Sequence, residues 1–273
     1  MSRWSQAGLV RLSGDLSARR LEVLEAVASL RLVSAGQIRR RFYGSGSAAA
    51  RLARLDLAAL HEAGLLHRLE RRIGGLHAGS SGFVYALGAA GQRLLELRAG
   101  EGLTRAATRY EPSLGFVEHA LAVSEVWVGL YEHLHTGLTS EPGARFDFLV
   151  ERQAWRRFVD GSGVAATLKP DAELHLRRGG FEDRWWLEID RATERRSALR
   201  RQLAAYVAYY RTGLEQQAQG LFPLTAWLTV TEPRAQVLRE VIGELRPGEQ
   251  RLFRVGLLGA ASPLLLSHGR SEP

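Results

Sequence analysis

The stretch SAAARLARLDLAALHEAGLLHRLERR, residues 47–72, contains a change of period that decides the fold of the first part of the chain. Up to Gly64 the apolar residues recur at helical spacing, which predicts a helix that Ser47 caps and Gly64 ends. The same spacing predicts that the buried face of this helix is formed by Leu52, Leu55, Ala59 and Leu60. From residue 65 to 72 the pattern becomes that of a strand.

Two helical patterns precede this stretch and one strand pattern follows it. Residues 17–31 carry apolar side chains at helical spacing, and a second, shorter helix follows them and ends before Gly44. Beyond the glycine-rich residues 74–82, the segment FVYAL at residues 83–87 is typical of a returning strand. Three helices followed by a β-hairpin is the order of a winged helix-turn-helix domain, which we expect over residues 15–98.

The rest of the chain alternates helical and strand patterns. Residues 99–113 show no clear core pattern, so we interpret them as a linker. Helices are expected at residues 114–134, 195–211 and 234–245, and strands at residues 146–150, 172–176, 184–189, 224–230 and 252–258. This alternation predicts a mixed α/β domain over residues 114–265, and the fold class of the chain is therefore α/β (α+β).

The composition limits the classes of function. The formal net charge of +8 and a pI of about 10.5 indicate a polyanionic partner such as DNA. Lys169 is the only lysine, and arginine does not act as a general base. Cysteine is absent, which excludes disulfides, thiolate zinc sites and cysteine nucleophiles. No run of about eighteen apolar residues occurs, so we expect no membrane span and a cytoplasmic protein.

Small and basic residues coincide with the elements of a winged helix that approach DNA. On the third helix, Ser47, Arg51 and Arg54 lie early on one face, where arginine can bind guanine edges or phosphates. The rest of the predicted DNA-binding set comes from the preceding helix and the hairpin: Arg39, Arg40, Arg41, Arg71, Arg72 and His77. Two alternatives remain, a solvated basic face and a winged helix that contacts only protein.

Carboxylates in the second domain lie on or at the start of two neighbouring predicted strands. On the strand WWLEID, residues 185–190, the side chains of Trp186, Glu188 and Asp190 point to one face. Two carboxylates on one face of an apolar strand are costly unless a metal ion or a base compensates for them. Asp171 opens the preceding strand, and paired acids on adjacent strands are the arrangement that holds a hydrolytic Mg²⁺ ion.

The segment Pro170-Asp171, followed by Glu188, resembles the PD-(D/E)xK nuclease pattern. The resemblance implies a mixed-sheet, restriction-endonuclease-like domain with Asp171, Glu188 and Asp190 as catalytic residues. It implies Asp171, Glu188 and Glu125 as ligands of Mg²⁺ or Mn²⁺. The lysine that the pattern expects two residues after the second acid is Asp190 here, which could instead supply a third metal ligand. The alternative is a buried salt-bridge cluster with Arg191, Arg195 or Arg201.

Over residues 17–210 the chain resembles the replication-relaxation family of plasmid and mobile-element proteins. The features that carry the resemblance are the strand at residues 83–87, Glu118-His119, Glu151-Arg152, Pro170-Asp171 and the run from Glu188 to Glu194. The resemblance implies a winged helix joined to a nuclease-like domain, and a role on plasmid or integrative-element DNA.

Three functions are compatible with these observations. The first is a DNA-binding protein of plasmid or mobile-element maintenance, replication or regulation, whose nuclease-like domain is degenerate; the missing lysine favours it. The second is a metal-dependent endonuclease (nickase) targeted by the winged helix, which Asp171 and Glu188 favour. The third is a protein-interaction adaptor. A homodimer that binds two half-sites is a further expectation for a helix-turn-helix protein.

Overall fold

The computed structural model describes residues 5–69, 82–100, 112–135, 143–192 and 194–267. The chain divides into two compact units, Met1–Val128 and Gly129–Pro273. The division falls inside a long helix, whereas the sequence predicts a linker at residues 99–113, most of which lies outside the described residues. The mixed α/β fold class is confirmed.

The first unit is built from helices and a small sheet. Its elements are α1 (Gln6–Asp15), α2 (Ala18–Leu30), β1 (Val33–Ser34), α3 (Ala35–Phe42), α4 (Ser47–Glu62), β2 (Leu66–Arg68), β3 (Val84–Leu87) and α5 (Ala89–Ala99). The long helix α6 (Leu114–His135) begins in this unit. The strands pair antiparallel in the order β1-β3-β2. The expected order of three helices and two hairpin strands is present, and α1 and β1 are additions that the sequence did not predict.

Local side chains fix the ends of α3 and α4. The Ser34 hydroxyl accepts a hydrogen bond from the backbone N–H of Gln37, and the Gln37 side chain accepts one from the Ser34 N–H, which is a capping box. Gly44 and Gly46 separate the two helices with backbone φ angles of 83° and 99°, which favour glycine. Gly46, and not the predicted Ser47, is the N-cap of α4.

The buried face of α4 differs from the predicted one. Leu60 is buried as expected, but Leu52 and Leu55 are 42% and 56% exposed. The other buried residues of α4 are Ala53, Asp56 and Leu57. The helical period was therefore predicted correctly and its phase was not.

The second unit is built around a five-stranded mixed sheet. Its strands are β4 (Arg145–Val150), β5 (Arg156–Val159), β6 (Ala165–Leu168), β7 (Ala172–Arg178), β8 (Phe181–Asp190), β9 (Leu224–Thr229) and β10 (Phe253–Leu257). Its helices are α7 (Arg196–Thr212), α8 (Leu214–Gln219), α9 (Glu232–Gly243), α10 (Pro247–Gln250) and α11 (Ala261–Ser267). The sheet order is β10-β9-β8-β7-β4, with parallel pairing among β10, β9 and β8 and antiparallel pairing beyond. Strands β5 and β6 form a separate antiparallel pair.

Aromatic side chains fill the core between the sheet and its helices. Trp186 on β8 and Trp227 on β9 are fully buried in one cluster with Leu203 and Tyr206 of α7 and Leu238 of α9. Because side chains alternate along a strand, Glu188 lies on the same face of β8 as Trp186. The face of β8 that packs against α7 therefore carries the predicted acids.

Candidate functional site

Asp171, the residue directly before β7, lies beside Glu188 of β8. The backbone N–H of Asp171 donates to the carbonyl oxygen of Leu187 at 3.0 Å, which extends the β7–β8 pairing. An oxygen of the Asp171 carboxylate in turn accepts a hydrogen bond from the backbone N–H of Ile189 at 2.7 Å. The structure thus brings together the two acids that the PD-(D/E)xK resemblance implies.

Glu188 is held by two side chains from successive turns of α7. The Tyr206 hydroxyl donates to Oε1 at 2.5 Å, and Nε2 of Gln202 donates to Oε2 at 2.7 Å. Burial raises the pKa of Glu188 well above its usual range; the charge of Asp171 adds to the rise and these two hydrogen bonds oppose it. Burial therefore makes the charged form of Glu188 less favourable than that of an exposed glutamate.

Asp190 is neutralised by an arginine that the sequence did not single out. Arg234, from α9, donates through Nε to Oδ2 at 2.5 Å and through Nη2 to Oδ1 at 3.2 Å. The backbone N–H of Ala192 donates to Oδ1 at 2.8 Å. Asp190 is thus the carboxylate of a buried ion pair, as the salt-bridge alternative expects, but with Arg234 in place of the predicted Arg191, Arg195 or Arg201.

The predicted cation site is not visible as a group of three ligands among the described residues. Within the ranges that the structure describes, no three His, Asp or Glu side chains form a group that could hold a metal ion. The carboxylate of Glu125, the third predicted ligand, accepts hydrogen bonds from Gln37 at 3.0 Å and Arg40 at 2.6 Å. The metal centre of Asp171, Glu188 and Glu125 stays a prediction, and the carboxylate of Glu125 is engaged by side chains of α3.

The second unit contains another buried ionic cluster, which the sequence did not predict. Glu173 on β7 and Glu215 on α8 are only 1% and 2% exposed. Arg156 of β5 donates to both oxygens of Glu173 at 2.7 and 2.9 Å and to both oxygens of Glu215 at 2.9 and 3.1 Å. The Tyr209 hydroxyl donates to Glu215, and a ring nitrogen of His175 lies 2.8 Å from Glu173. One arginine therefore compensates two buried carboxylates.

The start of α4 carries the exposed part of the predicted DNA-binding set. Ser47, Arg51 and Arg54 are all exposed. Neither arginine makes an ion pair with any residue that the structure describes. This face therefore presents two positive charges that the described residues do not neutralise.

Two of the three arginines at the end of α3 contact other side chains of the first unit. Arg40 forms the salt bridge to Glu125, and the Arg41 guanidinium lies 4.7 Å from the ring centroid of Phe42 and 5.2 Å from that of Trp127. Arg39 is half-buried. The wing residues Arg71, Arg72 and His77 lie outside the described residues.

Asp56 anchors α4 to the two preceding helices. Its carboxylate accepts from Nε and Nη2 of Arg20 at 2.8 and 2.7 Å, and from the Tyr43 hydroxyl at 2.8 Å. Burial raises the pKa of Tyr43, and the hydrogen bond to Asp56 raises it further. This anchor turns Asp56 inward, so its charge is withdrawn from the exposed face of α4.

The model of the replication-relaxation family matches residues 24–225. The chain belongs to the replication-relaxation family. Membership indicates a role in replication or relaxation. No curated protein and no solved structure is significantly similar to the chain.

The replication-relaxation match spans most of both units. It includes α4, the Arg156 cluster and the acids Asp171, Glu188 and Asp190, but it ends before α9, which supplies Arg234. The ion pair of Asp190 therefore joins a residue inside the family match to one outside it. Among the described residues, no helix is long and apolar enough to cross a membrane.

Proposed function

We propose that this chain is a DNA-binding protein that acts in the replication, relaxation or maintenance of plasmid or mobile-element DNA. Its first unit works as a winged helix that places α4 in the major groove of duplex DNA. The observation that carries the proposal is the exposed start of α4, where Arg51 and Arg54 have no ion-pair partner among the described residues. Arg71, Arg72 and His77, which the sequence assigns to the DNA-binding set, lie outside the described residues.

In this proposal the second unit has a nuclease-like arrangement without nuclease chemistry. The carboxylate oxygens of Glu188 accept hydrogen bonds from Tyr206 and Gln202, and those of Asp190 accept them from Arg234. Arg234 is also unable to serve as a general base in place of the missing lysine. These contacts support a structural role for the acids.

Binding to duplex DNA across a range of salt concentrations tests the first half of the proposal. We expect Arg51→Ala/Arg54→Ala to weaken binding and to reduce the slope of log K against log salt by about 0.9 for each phosphate that the protein no longer neutralises. The matched control is Arg246→Ala/Arg251→Ala, which removes two exposed arginines of the second unit that also lack ion pairs within the described ranges. Equal weakening in the two variants would mean that only net charge matters and that α4 is not the binding element.

A metal-dependent nickase is a second candidate, because Asp171, directly before β7, lies close enough to Glu188 of β8 for their charges to interact. Supercoiled DNA incubated with Mg²⁺, Mn²⁺ or EDTA separates the two candidates. We expect the DNA to remain intact in every condition. Metal-dependent nicking that Asp171→Asn/Glu188→Gln abolishes would establish the nickase instead, and nicking that survives this double substitution would indicate a contaminant.

A further inference from the structure

An apolar stripe runs beside the arginines on the exposed face of α4. Ala48, Leu52 and Leu55 are spaced four and three residues apart, so they form one row along the helix, next to the row of Ser47, Arg51 and Arg54. Single exposed leucines need no explanation. Two exposed leucines lie next to two arginines that make no ion pair within the described ranges. Together they form a surface suited to a ligand that is both apolar and anionic.

The charge pattern of α4 favours an anionic partner at its N-terminal half. Asp56 is turned inward and neutralised by Arg20. The exposed acid of this helix is Glu62, which lies in its last turn, roughly 20 Å from Ser47 at the rise of an α-helix. A second copy of the chain docked face to face would bring four arginines together, which disfavours a homodimer through this surface.

We propose that Leu52 and Leu55 recognise the C5-methyl groups of thymine in the major groove of duplex DNA. This inference rests on the proposed function and adds a sequence preference to it. The thymine methyl is the apolar group that base pairs present in the major groove, and it is a known contact for apolar side chains. Arg51 and Arg54, on the adjacent row, bind guanine edges or phosphates beside these thymines.

The test uses duplexes with a randomised centre of about 20 base pairs, or two helical turns. The intact wild-type chain selects its preferred duplex from this pool. Each thymine of the selected duplex is then replaced in turn by uracil, which removes only the C5-methyl group. We expect wild-type affinity to fall on the order of fourfold at each contacted thymine, the factor that corresponds to one buried methyl-sized group. Leu52→Ala/Leu55→Ala should bind the thymine and uracil duplexes equally well.

The control variant is Leu214→Ala, which removes another exposed leucine, in α8 of the second unit, and should keep the full thymine preference. Three results would overturn the inference: no sequence is enriched, uracil has no effect on the wild type, or the leucine double variant still discriminates. A change of oligomeric state in that variant, seen by sedimentation, would assign the leucines to a protein interface instead. In each case the proposed function would still be supported if the DNA binding of the wild type kept its salt dependence and Arg51→Ala/Arg54→Ala reduced it.

Discussion

Replacing Arg156 by methionine should test whether one arginine holds the second unit together. The substitution keeps an unbranched side chain but removes the guanidinium that donates to both Glu173 and Glu215. Burial lowers the pKa of Arg156, but its hydrogen bonds and the charges of these two glutamates outweigh that effect and raise it. The variant therefore leaves two buried carboxylates without their compensating charge.

The destabilisation should be large on the scale of protein stability. Removing one partner of a buried ion pair costs roughly 3–5 kcal/mol. Because Arg156 compensates two carboxylates, we expect the cost to lie at the upper end, about 5 kcal/mol, which is a large part of the stability of a typical domain. Protonation of the two glutamates at low pH removes the uncompensated charge. The folded variant then binds protons more tightly than the unfolded chain, so its stability should rise as pH falls.

Urea denaturation at about pH 5 and about pH 8 measures both effects. The control is Arg177→Met, which removes an exposed arginine paired with the exposed Asp147 and should change stability little. If Arg156→Met does not fold, adding Glu173→Gln and Glu215→Gln should restore folding, because neutral amides remove the buried charge. A destabilisation no greater than that of the control, or one that is equal at the two pH values, would refute the reasoning.

Three further substitutions follow from single contacts. Because burial raises the pKa of Glu188, the wild-type fold loses stability as pH rises through that pKa, so the advantage of Glu188→Gln in unfolding free energy should grow from about pH 5 to about pH 8. Asp56→Ala leaves Arg20 unpaired and should cost roughly 2 kcal/mol, measured by urea denaturation. Gly91→Ala would place its Cβ 2.2 Å from the carbonyl oxygen of Leu65 and should lower the melting temperature of the first unit, seen by calorimetry.

Strong apolar periodicity predicted most of the larger elements to within a few residues. The sequence placed a strand at residues 224–230, and β9 spans Leu224–Thr229. It placed a helix at residues 195–211, and α7 spans Arg196–Thr212. Strands β5 and β6 were missed because each has four residues, of which only Phe158 and Leu168 are buried. Such short segments give no apolar run to detect.

Long-range partners explain what the sequence could not predict. The phase of α4 was wrong because hydrophobicity alone placed Leu52 and Leu55 inside, while Asp56 is buried through Arg20, which lies 36 residues earlier. The sequence predicts a partner for Asp190 among nearby arginines, but the arginine that binds it is Arg234, which lies 44 residues later. Local spacing identifies which acids share a strand face, but only the packing of helices against the sheet decides which base reaches them.

Some charged side chains are bonded within the protein, and others remain accessible to a partner. The acids that look catalytic in sequence, Glu188 and Asp190, are buried and bonded to protein donors. A buried charge that is fully bonded by the protein has few lone pairs left for a ligand. Arg51 and Arg54, which look like an ordinary solvated face, make no ion pair with the described residues although the chain has many acids. On the proposed function, DNA contact is therefore expected on α4, and Asp171, Glu188 and Asp190 are expected to stabilise the fold.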